Sequence, residues 1–406
     1  MPFAVPATRP LRLTLVSPHL PPSHVGGVEV YTDALMRAFA HGGHAVAAVA
    51  VERITSAAAE GCETSTEATG DATVHRLSLT IGKDRSFPLL TEHAPAQAWF
   101  ESHFAAFRPD LVHVQSGYLL GALALAAARR QGVPAMLTLH DYWFGCPRVT
   151  LRHPNGAICS GAERPSKCAW CLSADKRRYL LLDRALGGRL DRARDTSPIW
   201  ALAVGGPTDA VAARQRALRD LLDSTTLITA PTRFVAAQVA AATGYPLDRI
   251  RLSRYGMPPI DVPSTSSPTL RLAFIGQLAP HKGVHLAIDA VRALPGRDLA
   301  LAIHGPLTPY PDYVADLRAR AGGDPRIVFH GPYRREALPG IFADADVVVV
   351  PSLWHEVAAI VIQEAQMARR PVVATRYGGS PELIAHDVDG LLFDAERPGE
   401  LTRAVT

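Results

Sequence analysis

Lysine is nearly missing from this chain. Lys83, Lys167, Lys176 and Lys282 are the only four among 42 basic residues, and the rest are arginine. The net formal charge of +4 is small for 406 residues, and no basic stretch is interleaved with aromatics, so no nucleic-acid surface is expected. Long apolar runs are missing too. The longest, LLGALALAAA at 119–128, falls well short of the roughly 20 residues that span a bilayer. The N-terminus, MPFAVPATRPLRLTLVS, has no basic segment followed by an apolar core, which sets a cytoplasmic protein as the expectation. Cysteine is sparse, and in a reducing compartment its five copies are not expected to form structural disulfides.

What is present is alternation. Short apolar runs (11–17, 44–51, 111–116, 135–140, 227–231, then 270–276, 299–305, 326–331, 346–352 and 371–376) are separated by amphipathic helical patterns, the signature of a parallel α/β architecture. A chain of this length outgrows one core, and the Pro/Ser/Thr-rich stretch 258–269 reads as an interdomain linker. The expected organisation is an N-terminal domain at 1–257 and a C-terminal domain at 270–406. Two insertions interrupt the first domain: an irregular cysteine-rich stretch at 146–171 and an Arg/Leu-rich helical stretch at 174–223.

In open parallel sheets ligands gather at the carboxyl ends of strands, so the loops after the strands are where chemistry is sought. Gly26 and Gly27 precede a helical pattern, which suits either a tight turn or a phosphate at a helix N-terminus. GQLAPHKG brings Lys282 to the start of another helix. In GGSPEL (378–383), Ser380 reads as an N-cap with Pro381 at the first helical position.

Glu356 and Glu364 stand eight residues apart in SLWHEVAAIVIQEA. A loop ending near Glu356 and a helix over 359–369 would separate them by about 12 Å if helical throughout, too far for an acid and base pair. They suit opposite ends of one extended ligand, hydroxylated at both ends and anionic in the middle, where the helix start offers free N–H groups. A nucleotide-diphospho-sugar has that layout.

Cys146, Cys159, Cys168 and Cys171 form C-x12-C-x8-C-x2-C. Four thiols within one irregular stretch suggest a structural zinc site, with an iron–sulfur cluster as the second reading and unliganded thiols as the third. The basic run KRRYLLLDRALGGRLDRAR (176–194) suits either a solvated helix pair or peripheral contact with anionic lipid.

Taken together, GGVEVYTDAL, PDLVHVQS, TLHD, FIGQLAPHKGV, RIVFHG, ADVVVVPS and the E-x7-E segment followed by QEAQMARRPVVATRYGGSPELI resemble the family 4 glycosyltransferases, with a four-cysteine insertion. That resemblance implies a GT-B fold, two Rossmann-like doubly wound domains facing across a cleft. It implies a retaining enzyme that moves a sugar from a nucleotide-diphospho-sugar, held mainly by the C-terminal domain, to a hydroxyl of a glycan, a lipid-linked glycan or a small molecule held mainly by the N-terminal domain. By the same likeness Glu356 meets the donor sugar, Glu364 the ribose, and Gly26, Gly27, Lys282 and the amides near Ala359 and Ile360 the diphosphate. His140 matches the active-site histidine, Tyr333 falls in the base-contacting loop, and no metal is needed for catalysis. Two departures stand out. Gln277 occupies the place where the family has arginine beside FIG, and the chain stops at Thr406, where relatives continue with a further helical stretch. Both departures favour the alternative of a catalytically weak sugar-nucleotide-binding homologue; a metal-dependent scaffold on the same fold, resting on the cysteines, is the other alternative.

Overall fold

The structure is a computed structural model that describes residues 9–83, 91–154, 156–162, 164–173, 181, 184–186, 205–263 and 267–406. Most of the basic run 176–194 lies outside the described residues. The chain divides into two compact units, Met1–Gly256 and Met257–Thr406. A strand stands at each of the ten apolar runs.

Unit 1 is built on an eight-stranded sheet. Its strands are β1 (Arg12–Val16), β2 (Ala45–Ala57), β3 (Gly61–Thr69), β4 (Ala72–Gly82), β5 (Leu111–Val114), β6 (Ala135–Thr138), β7 (Leu227–Ala230) and β8 (Ile250–Leu252), in the order β3-β4-β2-β1-β5-β6-β7-β8. All pairs are parallel except β3 with β4. Helices α1 (Gly27–His41), α2 (Ala94–Phe107) and α3 (Gly121–Arg130) belong to its first half, followed by α4 (Pro165–Ser173), α5 (Gly205–Ser224) and α6 (Arg233–Thr243). The β3–β4 hairpin, absent from the sequence expectation, extends the sheet with a polar outer strand, GCETSTEAT, whose middle residues are exposed. A line of hydrogen bonds crosses three central strands through an otherwise apolar interior. His113 on β5 meets Thr138 on β6 at 2.8 Å, and Thr138 meets Thr229 on β7 at 2.9 Å, all three residues buried.

Unit 2 has six parallel strands, β9 (Leu270–Ile275), β10 (Leu299–His304), β11 (Ile327–Gly331), β12 (Val347–Val350), β13 (Val372–Thr375) and β14 (Gly390–Phe393), in the order β11-β10-β9-β12-β13-β14. Val348, Val349 and Val350 of β12 are buried, as expected of a strand covered on both faces, and each full burial of such a side chain contributes about 1.5–3 kcal/mol. The amphipathic helix α7 (Val284–Arg292) turns Val284, Ala287, Ile288 and Val291 onto the sheet beside Leu272 and Leu301. Its other helices are α8 (Pro311–Ala321), α9 (Leu338–Ala343), α10 (Ile360–Met367), α11 (Ser380–Leu383) and α12 (Glu400–Ala404).

Strand order points to one place on each sheet where ligands gather. The winding reverses between β1 and β5 in unit 1 and between β9 and β12 in unit 2, and crevices for ligands form at such switch points, outside the carboxyl ends of the strands. The loops after β1, β5, β9 and β12 therefore matter most. No helix among the described residues is long and apolar enough to cross a membrane.

Candidate functional site

In unit 2 the loops after β9 and β12 meet at the switch point. Lys282 ends a short 3-10 turn, Pro280–Lys282, and its Nζ donates to Glu356 Oε1 at 2.7 Å. The same carboxylate oxygen accepts from Ser352 Oγ at 2.6 Å and Trp354 Nε1 at 2.7 Å, and the Lys282 ammonium also lies 4.9 Å from the Trp354 ring centre. Glu356 is only 5% exposed. Burial works against its ionisation, but the charge and hydrogen bond of Lys282, joined by Ser352 and Trp354, outweigh that and hold the carboxyl below its ordinary range.

Close backbone packing fixes this loop. Leu353 N donates to His281 O at 2.7 Å and Gly379 N to Glu356 O at 2.6 Å. At Gly283 and Gly378 the backbone is left-handed (φ +68° and +64°), and an added Cβ would strike the carbonyl oxygens of Pro351 and Glu356 respectively, so only glycine fits either place.

Helix α10 begins at Ile360 with Ala359 at its cap and no side-chain cap, which leaves the first amides available to an anion. Glu364 lies one turn in, 4% exposed, with Oε1 accepting from Arg335 Nη2 at 2.7 Å. Tyr333 stands in the field of both Glu364 and Arg335, and burial pushes its hydroxyl up to about 12. The His304 ring meets Tyr333 edge-on at 6.4 Å and stacks on His330 at 4.4 Å. Gln277 is exposed directly after β9.

One local expectation needs correcting. Ser380 is the first residue of α11 and not its cap; Gly379 holds the cap position. Ser380 Oγ is buried with no hydrogen-bond partner among the described residues.

Unit 1 gathers a second set of groups. Gly26 and Gly27 open α1 after β1, followed by Glu29, whose carboxyl is raised by burial and further by Asp141. His140, in the loop after β6, is buried between two partners: Nδ1 meets Tyr255 Oη at 2.9 Å and Nε2 meets Gln115 Oε1 at 2.9 Å. With the amide oxygen facing Nε2, that nitrogen carries the proton and Tyr255 donates to Nδ1, the arrangement of a neutral ring. Burial, helped by His113, holds His140 down at about 3. Tyr31 packs on the same ring at 5.0 Å, and Gln115 Nε2 is buried without a partner among the described residues.

The sequence reading passed over Ser352, Trp354, Arg335, Gln115, Glu29 and Asp141. Ser352 and Trp354 lie within the quoted SLWHE, and Arg335 follows Tyr333 by two positions; position in a strand-end loop was the only signal available for them.

Cys146, Cys159, Cys168 and Cys171 line one cavity of about 20 Å³ in unit 1. None of the four forms a disulfide, and burial pushes Cys168 up to about 12. Among the described residues no three His, Cys, Asp or Glu side chains are positioned to hold a metal ion.

Comparison with known proteins bears on the fold and the family. The family model described as Glycosyltransferase Family 4 matches residues 25–191, and that described as Glycosyl transferases group 1 matches residues 269–406. The D-inositol 3-phosphate glycosyltransferase of Salinispora tropica is 27% identical over 427 aligned positions, covering 99% of this chain and 79% of that protein. The enzyme of the same name from Corynebacterium efficiens is 39% identical over 134 residues, and the match spans only 31% of its length and 31% of this chain. Among solved structures, Anabaena HepE in complex with UDP and glucose superimposes with a TM-score of 0.61 at 16% identity, over 97% of this chain and 89% of that one. Sucrose-phosphate synthase of Thermosynechococcus elongatus gives a TM-score of 0.63 at 17% identity, over 97% and 88%. Two glycosyltransferase family models, Glycosyltransferase Family 4 and Glycosyl transferases group 1, thus match the chain in succession, and its fold is that of the GT-B glycosyltransferases.

Proposed function

We propose that the chain is a retaining glycosyltransferase that moves a sugar from a nucleotide-diphospho-sugar to a hydroxyl of a glycan, lipid-linked glycan or small-molecule acceptor. The observation that carries this reading is the unit 2 switch point, where an ionised Glu356 is held by Lys282, Ser352 and Trp354 just before the uncapped start of α10. Glu356 accepts sugar hydroxyls, Lys282 and the amides at Ala359 and Ile360 face the diphosphate, and Glu364, steadied by Arg335, accepts the ribose hydroxyls beside Tyr333. Gln277 donates to a phosphate oxygen without adding charge. Gly26, Gly27 and His140 serve from unit 1. The HepE structure holds UDP and glucose, which supports a donor of this class.

The chemical step needs no metal. The bond from the anomeric carbon to the diphosphate oxygen breaks as the acceptor oxygen bonds to the same face of that carbon. The acceptor proton passes to the departing diphosphate oxygen, and Lys282 with the helix dipole stabilises the charge that develops there.

Incubation with a panel of sugar nucleotides and acceptors tests the proposal. Transfer with the anomeric configuration preserved, and lost in Glu356→Gln, is the expected result; an inverted product would overturn it. A second reading, a binding homologue with little turnover, is favoured by Gln277 and predicts nucleotide binding without transfer. Gln277→Arg separates the two, because it raises turnover only where the chemistry is already in place.

A further inference from the structure

The four thiols in unit 1 take no part in that transfer, yet the chain brings them together from three separate local structures. Cys146 sits in the turn after β6, where its backbone N–H donates to Tyr142 O at 2.5 Å. Cys159 is delivered by a short antiparallel bridge, Arg152 with Ile158, and its N–H donates to Leu151 O at 2.8 Å. Cys168 and Cys171 stand three apart on α4, which places them on one helix face. All four reach one cavity of about 20 Å³, room for a single water-sized body.

Burial favours neutral thiols at Cys146 and Cys168, yet backbone donors also face the sulfurs. Gly161 N donates to Cys159 Sγ at 3.4 Å while Cys159 Sγ donates to Gly161 O at 3.5 Å, and backbone hydrogen bonds from Leu151 and Arg148 offset part of the burial at Cys146. From α5, which shares an apolar cluster with α4 through Val211 and Ala169, Arg214 reaches into the same interior. It is 6% exposed, lies over the Trp143 ring at 4.5 Å and faces Cys146 and Cys168. Its Nε has no hydrogen-bond partner among the described residues. A buried guanidinium N–H without an acceptor is costly, and a neutral thiol is a poor acceptor. A thiolate would answer it.

We propose that Cys146, Cys159, Cys168 and Cys171 bind one zinc-class divalent cation as four thiolates, with Arg214 offsetting part of the resulting negative charge. Four thiolates around a 2+ ion leave a net charge of about −2 in a largely buried place, the usual chemistry of a closed structural zinc site. The sulfurs now ring the cavity without converging, so ligation turns the side chains inward, to about 2.3 Å from the ion, and releases their protons to solvent. The ion would staple the irregular segment that follows His140 to α4 and, through Arg214, to α5. The proposal stands apart from the transfer reaction, and its test is a measurement of metal rather than of activity.

The experiment is elemental analysis of the full chain, purified without a metal-affinity step from zinc-supplemented cells. About one zinc per chain is expected, released on thiol modification, with Cys168→Ser and Cys171→Ser each abolishing it and Arg214→Met weakening retention against a chelator by about 10–100-fold, as loss of an outer partner does. Should the cysteine variants fail to fold, cobalt added to stripped wild-type chain gives the same answer through the visible absorption of a tetrahedral thiolate complex. The proposal is overturned by metal-free protein whose four thiols are freely alkylated in the folded state, by disulfides in the intact mass, or by iron with a cluster's visible absorption.

Discussion

Glu356 shows how one carboxylate can be buried and still charged. Lys282, Ser352 and Trp354 reach it from the loops after β9 and β12, and removing Lys282 would take the ammonium away from a buried charge. Lys282→Met is expected to destabilise unit 2 by about 3 kcal/mol, the lower end of the cost of stranding a buried charge, read from urea unfolding. Because the folded carboxyl lies below its ordinary 4.5, the unfolded chain takes up the proton first on acidification. The contribution is full above about pH 4.5 and is lost as pH falls through the folded value; the stability difference between wild type and Glu356→Gln should shrink over that window. His140 pushes the same way from another cause. It remains neutral down to about 3, against an ordinary 6.5, so the unfolded chain gains a proton below pH 6.5 that the folded chain refuses, and stability falls from there downward. His140→Gln should flatten that slope in unit 1 unfolding, and a pH series of denaturation curves checks it.

At the level of elements, the short parallel strands were legible because they are covered on both faces: VVVV in β12 and LRLAFI in β9 leave little choice. The β3–β4 hairpin was not, since GCETSTEAT pairs through its backbone while its side chains face water and shows no apolar alternation, which left the Gly70-Asp71 turn as its one local signal. The start of α10 was readable to within a residue, whereas the α11 cap was misjudged because Ser-Pro-Glu imitates a cap motif and the preceding Gly378 and Gly379 take their places from packing on the Glu356 loop. Of the candidate site, Lys282, Glu356, Glu364 and the Gly26-Gly27 pair could be named from the chain. Those that act as partners, Trp354, Arg335 and Gln115, became visible only when the loops were brought together. Gly283→Ala tests that packing. With a left-handed backbone and a carbonyl in the way, it should cost more than about 1 kcal/mol in stability and weaken donor binding together with it, measured by thermal shift with and without nucleotide.

Over the whole molecule, two sheets of different size each gather polar groups in the loops at the carboxyl ends of their strands, and the donor-facing charges proposed here all belong to unit 2. A nucleoside diphosphate at a hundredfold excess over its Kd should then raise unfolding free energy by about 2.7 kcal/mol. Glu356→Gln should leave that increment unchanged for the diphosphate and reduce it for the sugar nucleotide; equal loss for the two ligands would remove Glu356 from the sugar end. The line from His113 through Thr138 to Thr229 has a consequence for how the larger sheet assembles. A slip of one residue in β6 would turn Thr138 to the opposite face and leave an imidazole and a hydroxyl without partners in a dry interior. The thread thus works as a proofreading mark: apolar strands that would tolerate several alignments are accepted in one.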